Sequence, residues 1–468
     1  MIGKMMTAED TYADSESESA TVIVGLGKTG LSCAQYFVKH GVPFVVADSR
    51  SDPPYLKQLL TIAPNVKCYL GKFDPFVFEF AKRLIVSPGV SIKNSVIGSA
   101  RANGVEIKGD VAIFAEQADA PIIAITGSNG KSTVTTLVGE MAAKCHVKAG
   151  VGGNLGVPAL DLLLNSADQS KPAYYVLELS SFQLETTADL HAESAVVLNI
   201  SEDHMDRYMS LQEYIDAKRA IYKNCKNVVF NRDDNYVTKM MESLDKSNVQ
   251  QVISFGLGSP HNDNEYGIIN FNNEDWIAKG SHRLMPVHEI LLPGRHNQAN
   301  ALAALALGET MGLEMQVMLS VLRDFAGLPH RMQLVANVRE IQWFNDSKGT
   351  NVGATVSAIM GMPGNKILIA GGDGKGAEFD PLREAVIANN VNLVILIGKD
   401  ADKIQEVLSG IVKIERAANM FAAVNIAYKH AKPKDKVILS PACASFDMFN
   451  DYQHRGEIFM EAVRNLPQ

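Results

Sequence analysis

The stretch from Ile122 to Ala143 limits the possible folds more than any other. Four apolar residues, Ile122 to Ile125, run into Thr126-Gly127-Ser128-Asn129-Gly130-Lys131-Ser132-Thr133, and a helical pattern follows to Ala143. Strand, glycine loop and helix in that order form a phosphate cradle. Glycines let backbone N–H groups turn inward, the helix N-terminus offers partial positive charge, and a lysine reaches the outer phosphates. The segment lacks the first glycine of the GxxxxGK[ST] pattern, but the flanking strand and helix supply the context that pattern needs. Gly127, Ser128, Asn129, Gly130, Lys131, Ser132 and Thr133 are therefore expected at nucleotide phosphates, with Ser132 able to ligate magnesium. A plain glycine turn is the competing reading.

Such a loop sits in a parallel sheet, and the rest of the chain follows suit. Short apolar runs at Ala20 to Gly27, Pro43 to Arg50 and Arg83 to Gly89 alternate with helical patterns, as buried parallel strands do. Further runs lie at Pro121 to Thr126, Tyr174 to Leu179, Ala195 to Ile200, Asn227 to Asn231 and Val252 to Gly256, and Asn264 to Leu292 reads as a hairpin excursion. After a Gly/Pro hinge at Phe325 to Arg331 come Lys366 to Gly371, Leu393 to Gly398 and Val437 to Ser440. The expected fold class is α/β, in three domains with mostly parallel sheets flanked by helices: Rossmann-like, then a P-loop ATPase-like unit, then a second Rossmann-like unit. The expected boundaries are a disordered tail over 1–19, then 20–112, 113–326 and 327–468. A length of 468 residues suits roughly three domains, and no internal repeat of about 20 to 50 residues is visible.

Charge and cysteine usage narrow the partners. Lys and Arg number 44 against 52 Asp and Glu, a net charge of -8 that disfavours nucleic acid and anionic membrane. No apolar run approaches the roughly 18 residues that cross a bilayer, and the acidic start from Ala8 to Ser19 has no apolar signal core. A cytoplasmic protein is expected, and a monomer. The five cysteines are scattered without a CxxC pair, which speaks for buried, reduced thiols.

A second glycine loop, Gly25-Leu-Gly-Lys-Thr-Gly30, follows the first strand, and Asp48 closes the next. The pattern suits a nicotinamide cofactor, the diphosphate of a UDP-sugar, or simply tight strand-to-helix packing. Glu178 ends one central strand and His204 lies just past the next, both on the side where ligands bind in open parallel sheets. Glu178 is a natural magnesium ligand and His204 a less usual one. In the last third, Asn345-Asp-Ser-Lys-Gly-Thr-Asn351, Gly371-Gly-Asp-Gly-Lys375 and Ser440-Pro-Ala-Cys-Ala-Ser-Phe446 each follow an apolar strand. Asp346, Lys348, Thr350, Lys375 and Ser445 should converge on one crevice, and two lysines with two hydroxyls suit a small dicarboxylate.

The order of Gly127 to Thr133, Leu177-Glu-Leu-Ser-Ser-Phe-Gln-Leu-Glu185, Asn199-Ile-Ser-Glu-Asp-His-Met-Asp-Arg-Tyr208 and Tyr214-Ile-Asp-Ala-Lys-Arg-Ala-Ile-Tyr222 resembles the Mur ligase family, whose members form amide bonds with ATP. The three motifs of the last third are similar to its D-glutamate-adding branch. The resemblance implies ATP and two magnesium ions as cofactors. It implies catalytic roles for Lys131, Glu178, His204 and Lys218, with Lys218 carbamylated so that an anionic group faces the metal. ATP would also meet Asn297, Asn300, Arg331 and Asp346. The UDP-linked precursor, UDP-N-acetylmuramoyl-L-alanine, would meet Lys28, Thr29, Asp48, Ser49, Arg50, Ser87 and Gly89, with Asn154 and His204. D-glutamate would meet Lys348, Thr350, Lys375, Ser445 and Phe446. Two positions depart from the family pattern: Gly349 replaces a more usual alanine, and Tyr452 replaces a phenylalanine.

The reaction so implied belongs to cytoplasmic peptidoglycan precursor synthesis. A carboxylate is a poor electrophile, so the alanyl carboxylate would first take the γ-phosphoryl group of ATP, and the amine of glutamate would then displace phosphate. Other readings are another Mur-type or folylpolyglutamate-type ligase, a non-catalytic ATP switch, and a nicotinamide oxidoreductase.

Overall fold

The computed structural model describes residues 21–166, 171–292 and 294–467; the tail expected over 1–19 lies outside them. The first sheet contains β1 (Thr21–Val24), β2 (Phe44–Asp48), β3 (Cys68–Leu70), β4 (Arg83–Val86) and β5 (Glu106–Lys108) in the order β3-β2-β1-β4-β5. All its pairings are parallel. Every residue of β1 is buried, because helices cover both faces of the sheet. The order reverses between β1 and β4, and the glycine loop leaves β1 at that switch point.

The second sheet holds β6 (Ile122–Thr126), β7 (Ala149–Gly153), β8 (Tyr174–Glu178), β9 (Ser194–Val197), β10 (Asn227–Asn231), β11 (Gln251–Phe255), β12 (Glu265–Phe271), β13 (Glu274–Lys279) and β14 (His282–Pro286). Their order is β14-β13-β12-β11-β10-β9-β6-β8-β7. The stretch expected as a hairpin is an antiparallel β12-β13-β14 meander added to the parallel edge. The helix Arg295–Thr310 is buried along Ala301 to Gly308. Its small side chains let it press against the helix Lys131–Lys144, which fixes the phosphate loop from behind.

The third sheet runs β15-β16-β20-β17-β18-β19, with β15 (Gln333–Val338), β16 (Ile341–Asn345), β17 (Lys366–Gly371), β18 (Val391–Ile397), β19 (Lys413–Arg416) and β20 (Lys436–Leu439). Only β15 is antiparallel to its neighbour. The fold is thus α/β, with three mostly parallel sheets flanked by helices. The strands that sequence reading passed over, β3, β5, β7, β15 and β19, are edge or near-edge strands, half-buried or rich in polar residues and glycine, so no long apolar run marks them.

By packing, the described residues form two compact units. One contains the first sheet, together with the described parts of Gly152–Pro172 and Leu179–His191; the other contains the third sheet and the second apart from the end of β7. The boundary expected after residue 112 falls inside the helix Asp110–Gln117. An amphipathic helix advertises an apolar face, but its sequence does not name the sheet that covers it. Among the described residues no helix is long and apolar enough to cross a membrane.

Candidate active site

The phosphate loop leaves β6 with Gly127 at φ +154° and Gly130 at φ +84°. A Cβ on Gly130 would stand 2.4 Å from Asn300 Oδ1, so glycine here serves both backbone conformation and the close approach of the next helix. Lys131 begins the helix Lys131–Lys144, and its Nζ donates to Gly127 O (2.7 Å) and Ser128 O (2.9 Å). Burial pushes its pKa down, and the nearby charges of Glu178 and Asp203 oppose that shift. The Asn129 N–H donates to Asn199 Oδ1 at 2.8 Å, and the Ser128 hydroxyl lies 3.0 Å from the Tyr214 hydroxyl.

Lys218, on the helix Leu211–Arg219, is 1% exposed. Its Nζ donates to Gly127 O at 2.9 Å and to Thr126 Oγ1 at 3.3 Å, and lies 4.7 Å from the centre of the Tyr214 ring. Burial, reinforced by the charge of Lys131, drives the amine well below the usual lysine range. Glu178 is buried at the end of β8. His204 is held at φ +60° and is pushed down to about 4, chiefly by burial, so its ring is neutral near pH 7.

The strand order of the third sheet explains why distant motifs meet. β16, β20 and β17 are adjacent and parallel, so the loops carrying Lys348, Ser445 and Lys375 leave neighbouring strand ends on the same side. Asp373 and Ala444 join two of these loops through a backbone bridge. Ser445 is buried, whereas Phe446 is 76% exposed and reaches into solvent. The Thr350 N–H donates to Lys348 O at 2.8 Å. Lys348 Nζ lies 4.1 Å from the Tyr452 ring centre, so the phenylalanine replacement leaves an aromatic face for a cation. A Cβ on Gly349 would sit 2.7 Å from both Asp346 Oδ2 and Ser440 Oγ, a steric reason for glycine at this departure from the family pattern.

These strand ends, and the segment just before β15, touch the phosphate loop and its surroundings directly. Arg331 Nη2 donates to Ser132 Oγ at 2.7 Å. The amides of Asn129 and Asn351 pair reciprocally at 3.3 Å. Asn351 Nδ2 also reaches Asp203 Oδ2 at 3.0 Å, and Lys375 Nζ pairs with Asp203 Oδ1. Burial would raise the pKa of Asp203, but Lys375, His204 and Asn351 hold it well below the usual carboxylate range. A cavity of about 400 Å³ lies alongside, lined among others by Gly130, Thr133, Asn297, Asn300, Arg331 and Asp346. That volume suits a small-molecule ligand. Asn300 Nδ2 donates to Asn297 Oδ1 at 3.3 Å, so the two share one face. Asp346 is pushed up to about 6 by burial, and Lys348 down to about 8 by burial and by Arg331.

In the unit of the first sheet, Lys28 Nζ donates to Gly156 O at 2.5 Å, which brings its loop to the segment carrying Asn154. Asp48 accepts from the N–H of Leu26 (2.7 Å) and of Arg50 (2.8 Å) and from the Arg50 guanidinium. Ser87 Oγ donates to Gly25 O at 2.8 Å. Gly89 and Ser49 sit on the loops around this switch point, and Thr29 in the first turn of the helix Lys28–Lys39.

Sequence reading missed Asp203, Asn351 and Arg455. Asp203 was obscured by its neighbour His204, and Asn351 was read only as the end of a motif. Arg455 is 1% exposed and binds Ser347 Oγ, Ser347 O and Cys443 O, tying two site loops together. Its signal was present: it shares a helical face with the buried Phe459, Ala462 and Val463, where a charge needs a reason.

Magnesium fits the oxygen donors at the loop, the Ser132 hydroxyl and the Glu178 carboxylate. Among the described residues no group of three or more His, Cys, Asp or Glu gathers to hold a metal.

Comparison with known proteins accords with this geometry. The Mur ligase MurD-like N-terminal domain matches residues 19–109, the Mur ligase middle domain 125–308, and the Mur ligase glutamate ligase domain 330–443. A UDP-N-acetylmuramoylalanine–D-glutamate ligase of Marinobacter nauticus is 50% identical, the match covering 96% of this chain and 99% of the relative. The protein of that name from Pseudomonas fluorescens is 48% identical, at 96% and 99% coverage. Among solved structures, MurF from Acinetobacter baumannii shares the fold with a TM-score of 0.59 at 17% identity, over 95% of this chain and 92% of that one. The chain belongs to the Mur ligase family, among relatives that are UDP-N-acetylmuramoylalanine–D-glutamate ligases.

Proposed function

We propose that this chain is an ATP-dependent ligase that joins the amine of D-glutamate to the alanyl carboxylate of UDP-N-acetylmuramoyl-L-alanine in the cytoplasm, releasing ADP and phosphate. The observation that carries the reading is the contact of the third-sheet loops with the phosphate loop and its neighbour Asp203: Arg331 on Ser132, Asn351 on Asn129, Lys375 on Asp203. A cavity and a set of cations lie where a triphosphate and a dicarboxylate could be held side by side.

In this reading the alanyl carboxylate oxygen attacks the γ-phosphorus, the bond to the β-bridging oxygen breaks, and ADP leaves. Lys131 and Arg331 offset the charge of the transferring group, and the loop amides position it. The amine of glutamate then attacks the acyl carbon, and collapse expels phosphate and leaves the amide. Lys348 and Lys375 hold the two carboxylates of glutamate, with Thr350 and Ser445 as hydroxyl partners. Asn297, Asn300 and Asp346 belong to the ATP side. Lys28, Thr29, Asp48, Ser49, Arg50, Ser87, Gly89 and Asn154 belong to the UDP-precursor side. Magnesium held by Ser132, Glu178 and His204 would neutralise phosphate charge. The burial that disfavours the charged form of Lys218 favours addition of carbon dioxide to its amine, and the carbamate would supply oxygens to that ion.

The test is phosphate release and product mass with purified protein, ATP, magnesium and the UDP-muramoyl-alanine precursor. Release should require D-glutamate, and the product should be the precursor plus glutamate less water. Turnover independent of any amino acid, or dependent on a different one, overturns the proposal.

A further inference from the structure

Lys375 stands at φ +52°, a left-handed conformation that costs a lysine about 1 kcal/mol or more. Its loop is therefore held by something other than its own preference. Part of the hold is local: Asp373 Oδ1 accepts the Lys375 N–H at 3.0 Å, and Asp373 bridges Ala444. A second hold is the pairing of Lys375 Nζ with Asp203 Oδ1, and a third comes from the loop after β18, Gly398-Lys399-Asp400. The Asp400 N–H donates to Gly372 O at 2.9 Å, Asp400 Oδ2 accepts the Gly374 N–H at 2.7 Å, and Lys399 Nζ reaches Asp373 Oδ2 at 3.1 Å. Backbone lies on backbone here: a Cβ on Gly398 would come within 2.7 Å of Gly372 Cα and 2.5 Å of Asp447 Oδ2.

Asp400 is also the N-cap of the helix Ala401–Leu408, and an aspartate there ordinarily accepts an N–H of its own helix. It makes no such bond. The carboxylate is buried and turned to the Gly374 N–H instead, with Lys403 Nζ 2.8 Å from its other oxygen. A helix cap diverted to a neighbouring loop serves that loop. We infer that Asp400 is a positioning residue for the amino-acid site, one that fixes the Lys375 loop so that Nζ meets the carboxylate of the incoming amino acid. The inference rests on the proposed role of Lys375 in binding glutamate.

The test uses the full-length protein, with KM measured separately for D-glutamate, ATP and the UDP-precursor. Asp400→Ala should raise KM for D-glutamate about 10- to 100-fold, the weight of one hydrogen bond to a charged group, and leave the other two within about twofold. Asp400→Asn keeps an oxygen acceptor for Gly374 and should restore most of the loss. Added to Lys375→Ala, either substitution should raise KM little further, because both act on one contact. If Asp400→Ala does not fold, Lys399→Ala replaces it in the same cycle, with a smaller rise in the same KM. Equal changes in all three KM values, additivity with Lys375→Ala, or an Asn variant no better than Ala overturns the inference. Should the unaltered protein show no D-glutamate-dependent turnover, the reaction assignment fails instead.

Discussion

The chain contains the same backbone device twice, with different consequences. Both Gly25–Gly30 and Gly127–Gly130 leave a buried parallel strand and lead into a helix. In the first loop the polar groups are spent on the loop's own neighbours: Leu26 N–H on Asp48, Ser87 on Gly25 O, and Lys28 on Gly156 O. In the second, a half-buried lysine curls over the loop carbonyls, and Arg331 from the segment before β15 and the amide of Asn351 after β16 reach in. A glycine loop by itself specifies only that a backbone can approach closely; the side chains around it decide what it approaches.

Four substitutions probe that contrast. The largest difference is expected between the two lysines: Lys131→Ala should lower kcat by about 1,000-fold, as loss of a group that offsets transition-state charge does, whereas Lys28→Ala should raise KM for the UDP-precursor about tenfold with kcat nearly kept. Similar losses in both, measured by phosphate release, would erase the distinction. Gly30→Ala comes next. A Cβ there would lie 2.0 Å from Gly25 O, so the protein should lose roughly 2 kcal/mol or more in denaturant unfolding; unchanged stability would mean that the first loop is not the tight turn described. The smallest effect concerns Asp48. Burial would raise its pKa, but the Arg50 side chain and two backbone N–H groups hold it below the usual value. A carboxyl depressed in the folded state adds stability above its unfolded pKa of about 3.9 and loses it as pH falls through the lower folded value. Asp48→Asn should therefore flatten the melting temperature between pH 7 and pH 3, by about 2 °C, and an unaltered slope would show that the pair contributes nothing.

Much of this was readable from residues alone. The phosphate loop, Glu178 at the end of its strand, and the three loops after β16, β17 and β20 all show as turn chemistry following apolar runs, which is local information. The exposed Phe446 shows the limit: the motif places it beside Ser445, but a loop has no fixed side-chain period, and only coordinates say that Ser445 is the buried one of the two.

What the sequence determined by itself is the set of strand-to-loop junctions, because apolar period and glycine placement act over a few residues. Tertiary structure alone decided that β20 lies between β16 and β17, that Asp203 receives both Asn351 and Lys375, and that Asp400 turns from its own helix to Gly374. The physical reason is common to all three. A carboxylate's partner is chosen by which backbone or cation burial brings within about 3 Å, and that depends on strand order, across 26 residues of chain for Asp400 and Gly374 and 172 for Asp203 and Lys375.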